Sequence, residues 1–403
     1  MRTDRAEVII VGGGPVGLSL AAALTRRQVA VEVLEGLSTP STEWRASTFH
    51  PPTLELLSEL DLTDEMIERG LVADTYQVRD RTDGLVAEFD LSVLADDTEY
   101  PFRLQLEQYK YAAMLTQRLE RDPQCTIHRG ERVIAVEQDE TGVAVHASVA
   151  GRETVTRRAR YVVGADGARS VVRKSLDVDF PGMTYPVRFL ILSTSHPFEK
   201  TFADICYVNY IWDPVEPMML LRIPDVWRIM FSVGPNAQAE DLLDPEVIQA
   251  RMRKAVGAAD DERLDVTSAQ YYQVHQRVAE RFRVGRVLLA GDAAHINSPV
   301  GGLGLNSGIH DAFDLAARLG AHLRGHASDQ VLDVYADRRR KVALDFVRRV
   351  THRNTRMMTE PDPAKRAANR RELAEISRDR ERSREWMLDA SMIASVRVTG
   401  IGT

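Results

Sequence analysis

The stretch VIIVGGGPVG, residues 8–17, decides the fold. Val8 to Val11 form the apolar run of a strand buried on both faces in a parallel sheet. Gly12, Gly14 and Gly17 then fill the GxGxxG spacing, and Pro15 stands where a first helical turn tolerates a residue without an N–H. Each glycine has a task in that motif. Gly12 permits the tight turn, Gly14 lets a pyrophosphate approach the backbone, and Gly17 lets helix and strand pack closely. The helix N-terminus presents N–H groups and a positive dipole end to phosphates. A helical pattern to Arg27 and a second strand, Ala30 to Glu35, complete a βαβ start. Glu35 ends that strand at the spacing of a carboxylate that accepts ribose hydroxyls. Strand, helix and terminal acid together predict dinucleotide binding.

Working outward, helical patterns follow near Pro51 to Leu60 and from about Leu106 to Asp122. Residues 126 to 149 alternate as antiparallel strands, and Ala159 to Gly164 returns to a short apolar strand. The composition shifts after Phe180-Pro181-Gly182. From Val187 to Val233 the sequence reads as long strands rich in aromatic and β-branched residues. Asp244-Pro245 marks a helix start. A strand from about Asp265 to Gln276 and a buried-type strand from Arg286 to Ala290 lead into glycine-rich sequence and a helix to about Leu323. The region from Ser328 to Trp386 is helical. Its Ala364 to Trp386 portion alternates Arg and Glu, which reads as an exposed, salt-bridged helix. An α/β unit is thus interrupted by strands and resumed.

Composition excludes several classes. The 403 residues, 44% hydrophobic and 28% charged, give ample material for a buried core. A net charge of -7 leaves no electrostatic footprint for nucleic acid. Cys125 and Cys206 form neither a CxxC pair nor a metal cluster, so no metal is expected. No signal-like segment opens the sequence, and no apolar run approaches the roughly 18 residues of a membrane span. The expectation is a cytoplasmic protein, monomer or homodimer, with no membrane partner.

Two further glycine-rich sites lie downstream. YVVGADGARSVVRKSL, residues 161–176, runs a strand into Gly164, Asp166 and Gly167 and then a helix; alone it is any strand, Asp turn and helix. GRVLLAGDAAHINSPVGGLGLNSGIHDA, residues 285–312, ends a strand at Gly291-Asp292 and opens a helix through Pro299, Gly301, Gly302, Gly304, Leu305 and Asn306. A glycine-rich helix start offers backbone donors to a planar, electron-rich ring. His295, inside this turn, reads as structural.

In this order and at these separations, the three motifs resemble the group A flavoprotein monooxygenases of the p-hydroxybenzoate hydroxylase type, from about residue 6 to 350. The fold class implied is α/β. A Rossmann-like FAD-binding domain (residues 1–75, 101–180 and 281–350) carries an inserted, mainly antiparallel β-sheet substrate domain (76–100 and 181–280) and a C-terminal helical segment (351–403). The resemblance implies that Gly12, Gly14, Pro15, Gly17 and Glu35 hold the ADP of FAD. It places Asp166 near FAD and NAD(P)H, and Asp292 on the ribityl chain. It gives Pro299, Gly301, Gly302, Gly304, Leu305 and Asn306 to the isoalloxazine cradle. Arg45 in EWRAS and Gln105 in RLQLEQ match an FAD-contacting arginine and a pyrophosphate-contacting glutamine. The chain is too short for the thioredoxin-like domain of phenol-hydroxylase relatives. Ser193 or Thr194 stands near where the family often has an acid.

The implied reaction is NAD(P)H- and O2-dependent hydroxylation of a small aromatic substrate (a phenol, aminobenzoate or hydroxypyridine) through a C4a-hydroperoxyflavin. With one Rossmann fingerprint for two nucleotides, FAD stays and NADH or NADPH visits. Substrate groups are expected from the inserted strands: Tyr207, Tyr210, Trp212, Met219, Leu221 and Phe231. Alternation puts Tyr210 and Trp212 on one face and Tyr207 with Asn209 on the other, and the Tyr210 face is expected to look onto the flavin. Tyr210 and His50 are the candidate catalytic groups. Two other readings share the sequence: a tailoring enzyme that epoxidises, reduces or carries out Baeyer–Villiger-like oxidation of a larger natural product, and a flavoprotein-shaped ligand-binding module.

Overall fold

The computed structural model describes residues 6–401 except Trp44, Arg152 and Pro235; the ends of the first and last expected segments, residues 1–5 and 402–403, lie outside it. The strand Ala6–Val11 runs between two parallel neighbours, Val31–Glu35 and Val155–Gly164. Val8, Ile9 and Ile10 are fully buried, which is why the run has no polar alternation. The helix Pro15–Thr25 links the first two strands. Val287–Leu289 re-enters the sheet beside Val155–Gly164, so sequence on both sides of the insertion shares one core.

One strand differs from expectation. Cys125–Arg129 pairs in parallel with Val31–Glu35, and antiparallel pairing begins only with Glu131–Asp139 and Gly142–Val149. The helix Gln108–Leu119 precedes it and provides the crossover that a parallel neighbour needs.

The second sheet has eight strands. Its spatial order is His295–Ile296, Ser268–Val278, Gly182–Thr194, Trp227–Val233, Met218–Arg222, Val208–Trp212, Thr75–Asp80 and Gly84–Asp90. Neighbours are antiparallel except Val208–Trp212 with Thr75–Asp80, which are parallel. One face buries Leu190, Ile211, Leu220 and Phe231 against Ile248 and Met252 of the helix Pro245–Val256. The opposite face buries Tyr76, Val208, Trp212, Met219 and Met230 under the C-terminal helices.

Those helices correct the expectation of an exposed, charged rod. Leu373 and Ile376 of Pro363–Arg378, and Met387 and Ala390 of Arg380–Ala390, are buried in the same cluster as the sheet face. The i, i+3 spacing of each pair makes a narrow apolar stripe that the surrounding charges conceal. The charges also reach partners on the insertion: Arg370 pairs with Asp80 at 2.7 Å and Asp83 at 2.8 Å, and Arg384 with Asp97 at 2.6 Å. Among the described residues no helix is long and apolar enough to cross a membrane, and no His, Cys, Asp and Glu cluster could hold a metal.

Candidate cofactor and substrate site

At the first glycine turn the three glycines divide by cause. Gly12 has φ +110°, and a Cβ there would sit 2.4 Å from the Ala165 carbonyl oxygen. A Cβ on Gly17 would sit 2.0 Å from the Gly12 carbonyl oxygen. Packing of the chain on itself therefore requires both. Gly14 is extended (φ -77°), and a Cβ there would meet nothing within 4 Å. No side chain caps the helix it precedes. Open space at an uncapped helix N-terminus fits a phosphate group. Glu35 accepts hydrogen bonds from the backbone N–H groups of Gly13 and Leu37, each at 2.7 Å, and so also fixes the turn.

Asp166 turns inward. Its carboxylate accepts from the Ser170 hydroxyl at 2.5 Å and from Val171 and Val172 N–H at 2.7 and 3.2 Å, capping the short helix Val171–Ser175. Burial raises its carboxyl above the usual range. Asp292 is different. It is solvent-accessible, and among the described residues nothing hydrogen-bonds to its carboxylate. The surrounding protein raises its carboxyl against the opposing pull of His295 and Arg45. Arg45 is two-thirds exposed and pairs with Glu43 at 2.7 Å. Gln105 is buried; its Oε1 accepts from the Thr48 hydroxyl at 3.1 Å, and its amide nitrogen has no partner. An unfilled carboxylate and an unfilled buried amide donor suit the ribityl hydroxyls and pyrophosphate of FAD. Asp292→Ala is expected to weaken flavin retention about ten- to a hundredfold, the ~1.5–3 kcal/mol of a charge-assisted hydrogen bond. Flavin titration of the apoprotein checks this; unchanged affinity would remove Asp292 from the cofactor site.

The third motif forms a left-handed double turn. Gly301 and Gly302 have φ of +106° and +70°, and Gly302 is the N-cap of the helix Leu303–Leu323, again without a side-chain cap. Pro299 accepts from the Gly302 N–H at 3.0 Å. Gly304 lies close against Asn297, and Leu305 is buried in the main core. Asn306 is fully buried and binds the turn to a neighbouring strand. Its Oδ1 accepts from the His50 N–H at 2.8 Å, and its amide donates to the carbonyls of Thr48 and Gly302 at 2.9 and 2.7 Å.

Below this turn lies a buried ionic cluster. Asp311 accepts from Arg339 Nε at 2.6 Å, His295 Nε2 at 2.8 Å and Gly291 N–H at 2.9 Å. His295 stacks on Phe282 and holds Asp311, in agreement with its structural reading.

A small cavity open to solvent borders Gly301. Tyr210 and Trp212 line it, and their shared face is the one turned to it. The Tyr210 ring meets Tyr76 edge-on at 5.9 Å, and among the described residues its hydroxyl has no hydrogen-bond partner. Four expected substrate residues fall elsewhere. Tyr207 precedes the strand and is 39% exposed. Met219 and Leu221 share the cavity's side of the sheet but do not reach the cavity. Phe231 is buried on the opposite face, because its partner Met218 is one residue out of phase with Met219. His50 also lies away from the cavity wall. It is fully buried behind the glycine turn, where its Nε2 donates to the Gly301 carbonyl at 2.9 Å. Burial and then Arg103 push its pKa far down, so it supports the turn as a neutral ring and does not face the cavity.

The sequence reading missed Arg103, Tyr76, Met357 and Trp386, all of which line the cavity. Arg103 was legible in principle, since it alternates with Gln105 on one strand face. The others come from segments whose position over the sheet no local pattern announces.

The Rossmann turn, the open carboxylate and the double glycine turn beside an aromatic cavity define an FAD-dependent monooxygenase of the group A flavoprotein type. Comparison with known proteins agrees, and the chain belongs to the family described as FAD binding domain, whose model matches residues 5–350. It is 34% identical over 394 residues to a para-nitrophenol 4-monooxygenase of Pseudomonas sp. strain WBC-3, covering 97% of this chain and 96% of that one. It is 35% identical over 343 residues to a 6-hydroxy-3-succinoylpyridine 3-monooxygenase of Pseudomonas putida, covering 83% and 84%. The crystal structure of a p-nitrophenol 4-monooxygenase from Pseudomonas putida superposes with a TM-score of 0.91 at 33% identity, covering 96% of this chain and 97% of that one.

Proposed function

We propose that this protein hydroxylates a small phenolic ring at the cavity beside Gly301, with NADH or NADPH as a visiting reductant. One observation carries the reading: an aromatic-walled cavity opens onto the glycine turn that fits an isoalloxazine. Bound FAD supplies the storage of two electrons and the activation of oxygen. Gly12, Gly14 and Gly17 shape the phosphate end, Asp292 takes the ribityl chain, and the uncapped N-terminus at Gly302 presents its positive end to the flavin ring. Asn306 and His50 hold that turn rigid. Tyr76, Trp212, Met357 and Trp386 keep water from the reacting ring. The Tyr210 hydroxyl is placed to exchange a hydrogen bond, or a proton, with a substrate phenol.

The test supplies FAD, NADH or NADPH and 18O2 to the protein with phenols, aminobenzoates and hydroxypyridines. Incorporation of label into a ring, with reductant oxidation accelerated by that same compound, is the expected result. Reductant oxidation indifferent to every ring, with no labelled product, would sink the reading. Tyr210→Phe deletes only the hydroxyl. Hydroxylation is expected to fall about tenfold, the scale of one lost hydrogen bond, with peroxide release rising and FAD content unchanged. Wild-type coupling in that variant would remove Tyr210 from the chemistry.

A further inference from the structure

Arg103 is the one charged side chain lining the cavity among the described residues. It is 2% exposed, and its Nε and Nη1 are buried without a hydrogen-bond partner. No described carboxylate lies within ion-pair distance. Its guanidinium instead covers the Tyr76 ring, 4.4 Å from the centroid. A face contact with an aromatic ring leaves the in-plane N–H donors unused. Proteins bury charge where it is paired, because desolvation is costly.

The neighbouring groups deepen the imbalance. Tyr76 accepts from Trp386 Nε1 at 2.6 Å, and burial pushes its phenol well above the usual range. Tyr210 stands edge-on to Tyr76. His50, behind Gly301, is neutral. Arg353 lies over Trp386, 4.2 Å from the ring centroid, and has Asp389 as its carboxylate partner at 3.8 Å. Arg103 is thus the cation at the chamber wall, and no lining residue is acidic.

Resting on the proposed function, we infer that Arg103 receives the anionic oxygen of the substrate, so the enzyme selects aromatic anions over neutral rings. A planar fork of N–H donors matches an oxyanion in geometry as well as charge. The oxyanion sits directly on the ring in a phenolate and one carbon away in an arene carboxylate. Binding as phenolate also leaves the ring electron-rich, which favours attack by electrophilic oxygen.

Equilibrium dialysis of the FAD-loaded protein tests this with two pairs matched in shape: 4-nitrophenolate against 4-nitroanisole, and benzoate against benzamide. The wild type is expected to prefer the anion in at least one pair by about tenfold or more, and that pair identifies the oxyanion. Arg103→Gln should abolish the preference with flavin content unchanged, and Arg103→Lys should restore part of it. Equal affinity for anion and neutral ring in both pairs overturns the inference. So does an Arg103→Gln protein that keeps the preference, or one that keeps it while losing flavin, which would place the guanidinium on the cofactor. If Arg103→Gln does not fold, Arg103→Lys decides: a weakened preference supports the inference, and an unchanged one overturns it. Labelled-oxygen incorporation without anion preference leaves the proposed function standing and this inference fallen. Arg103-dependent anion binding without incorporation does the reverse.

Discussion

Gly17→Ala is expected to yield a protein that holds no flavin and unfolds at far lower denaturant than the wild type, whereas Gly14→Ala loses flavin alone. The contrast follows from what each new methyl group meets. At Gly17 it meets the Gly12 carbonyl oxygen at 2.0 Å, backbone against backbone inside the first βα unit, and neither can yield without moving strand from helix. The cost is about 3 kcal/mol or more, the upper range of overpacking. At Gly14 the methyl group enters open space at an ordinary extended backbone angle. The apoprotein should keep wild-type stability, and only a phosphate approaching that space would feel the intrusion. Urea unfolding of the apoproteins, with flavin absorbance after reconstitution, measures both. Equal destabilisation of the two variants, or full flavin affinity in Gly14→Ala, would refute this division of labour.

Asp311→Ala should be comparably severe. The substitution strands a fully buried guanidinium at Arg339 and leaves His295 and the Gly291 N–H without their acceptor. Breaking a buried pair from one side costs about 3–5 kcal/mol. Because Gly291 precedes Asp292, flavin affinity should fall as well. The cluster also has a pH signature. Burial alone raises the Asp311 carboxyl, but His295 and Arg339 prevail and hold it at about 2, below the ordinary 3.8. A carboxylate with a depressed folded value gives its full contribution above the unfolded value and loses it as pH falls toward the folded one. Acid should therefore erode wild-type stability between 3.8 and about 2 in a way that Asp311→Asn does not share. Buried His310, lowered to about 3 chiefly by burial, adds its own acid sensitivity in that range, and because Asp311 opposes that lowering the variant alters both groups. Parallel stability–pH curves for the two would count against the ion cluster as a stabilising unit.

The cofactor half was legible because its constraints are local. Gly17 is forced by a clash with Gly12 inside the motif itself, and although Gly12 meets Ala165 from the end of a neighbouring strand, both glycines fall in one short spacing. Tyr210 and Trp212 were legible through strand alternation. Phe231 and Met219 were not separable, because the pairing register that puts Met218 opposite Phe231 is a tertiary fact. His50 looked like a base from its place after Arg45, and only the approach of Gly301 shows why it is tied up. The helical roof was obscured most: its buried stripe at Leu373, Ile376, Met387 and Ala390 lies among arginines and glutamates that dominate any composition window.

That roof has an evolutionary consequence. The residues proposed to hold flavin end with the helix that begins at Leu303, whereas Met357, Leu373 and Trp386 come afterwards and line the cavity beside Gly301. The roof is fastened to the early hairpin and the turn after it, through Arg370 to Asp80 and Asp83 and through Arg384 to Asp97. Residues 75–97 and 348–399 are therefore tied to each other, and the second also reaches the glycine turn, through Thr355 to Ser298 and through Asn354 beside Gly301. A change confined to one of the two segments breaks the clasp between them, so variation on the cavity side of the molecule is expected to arise in both together.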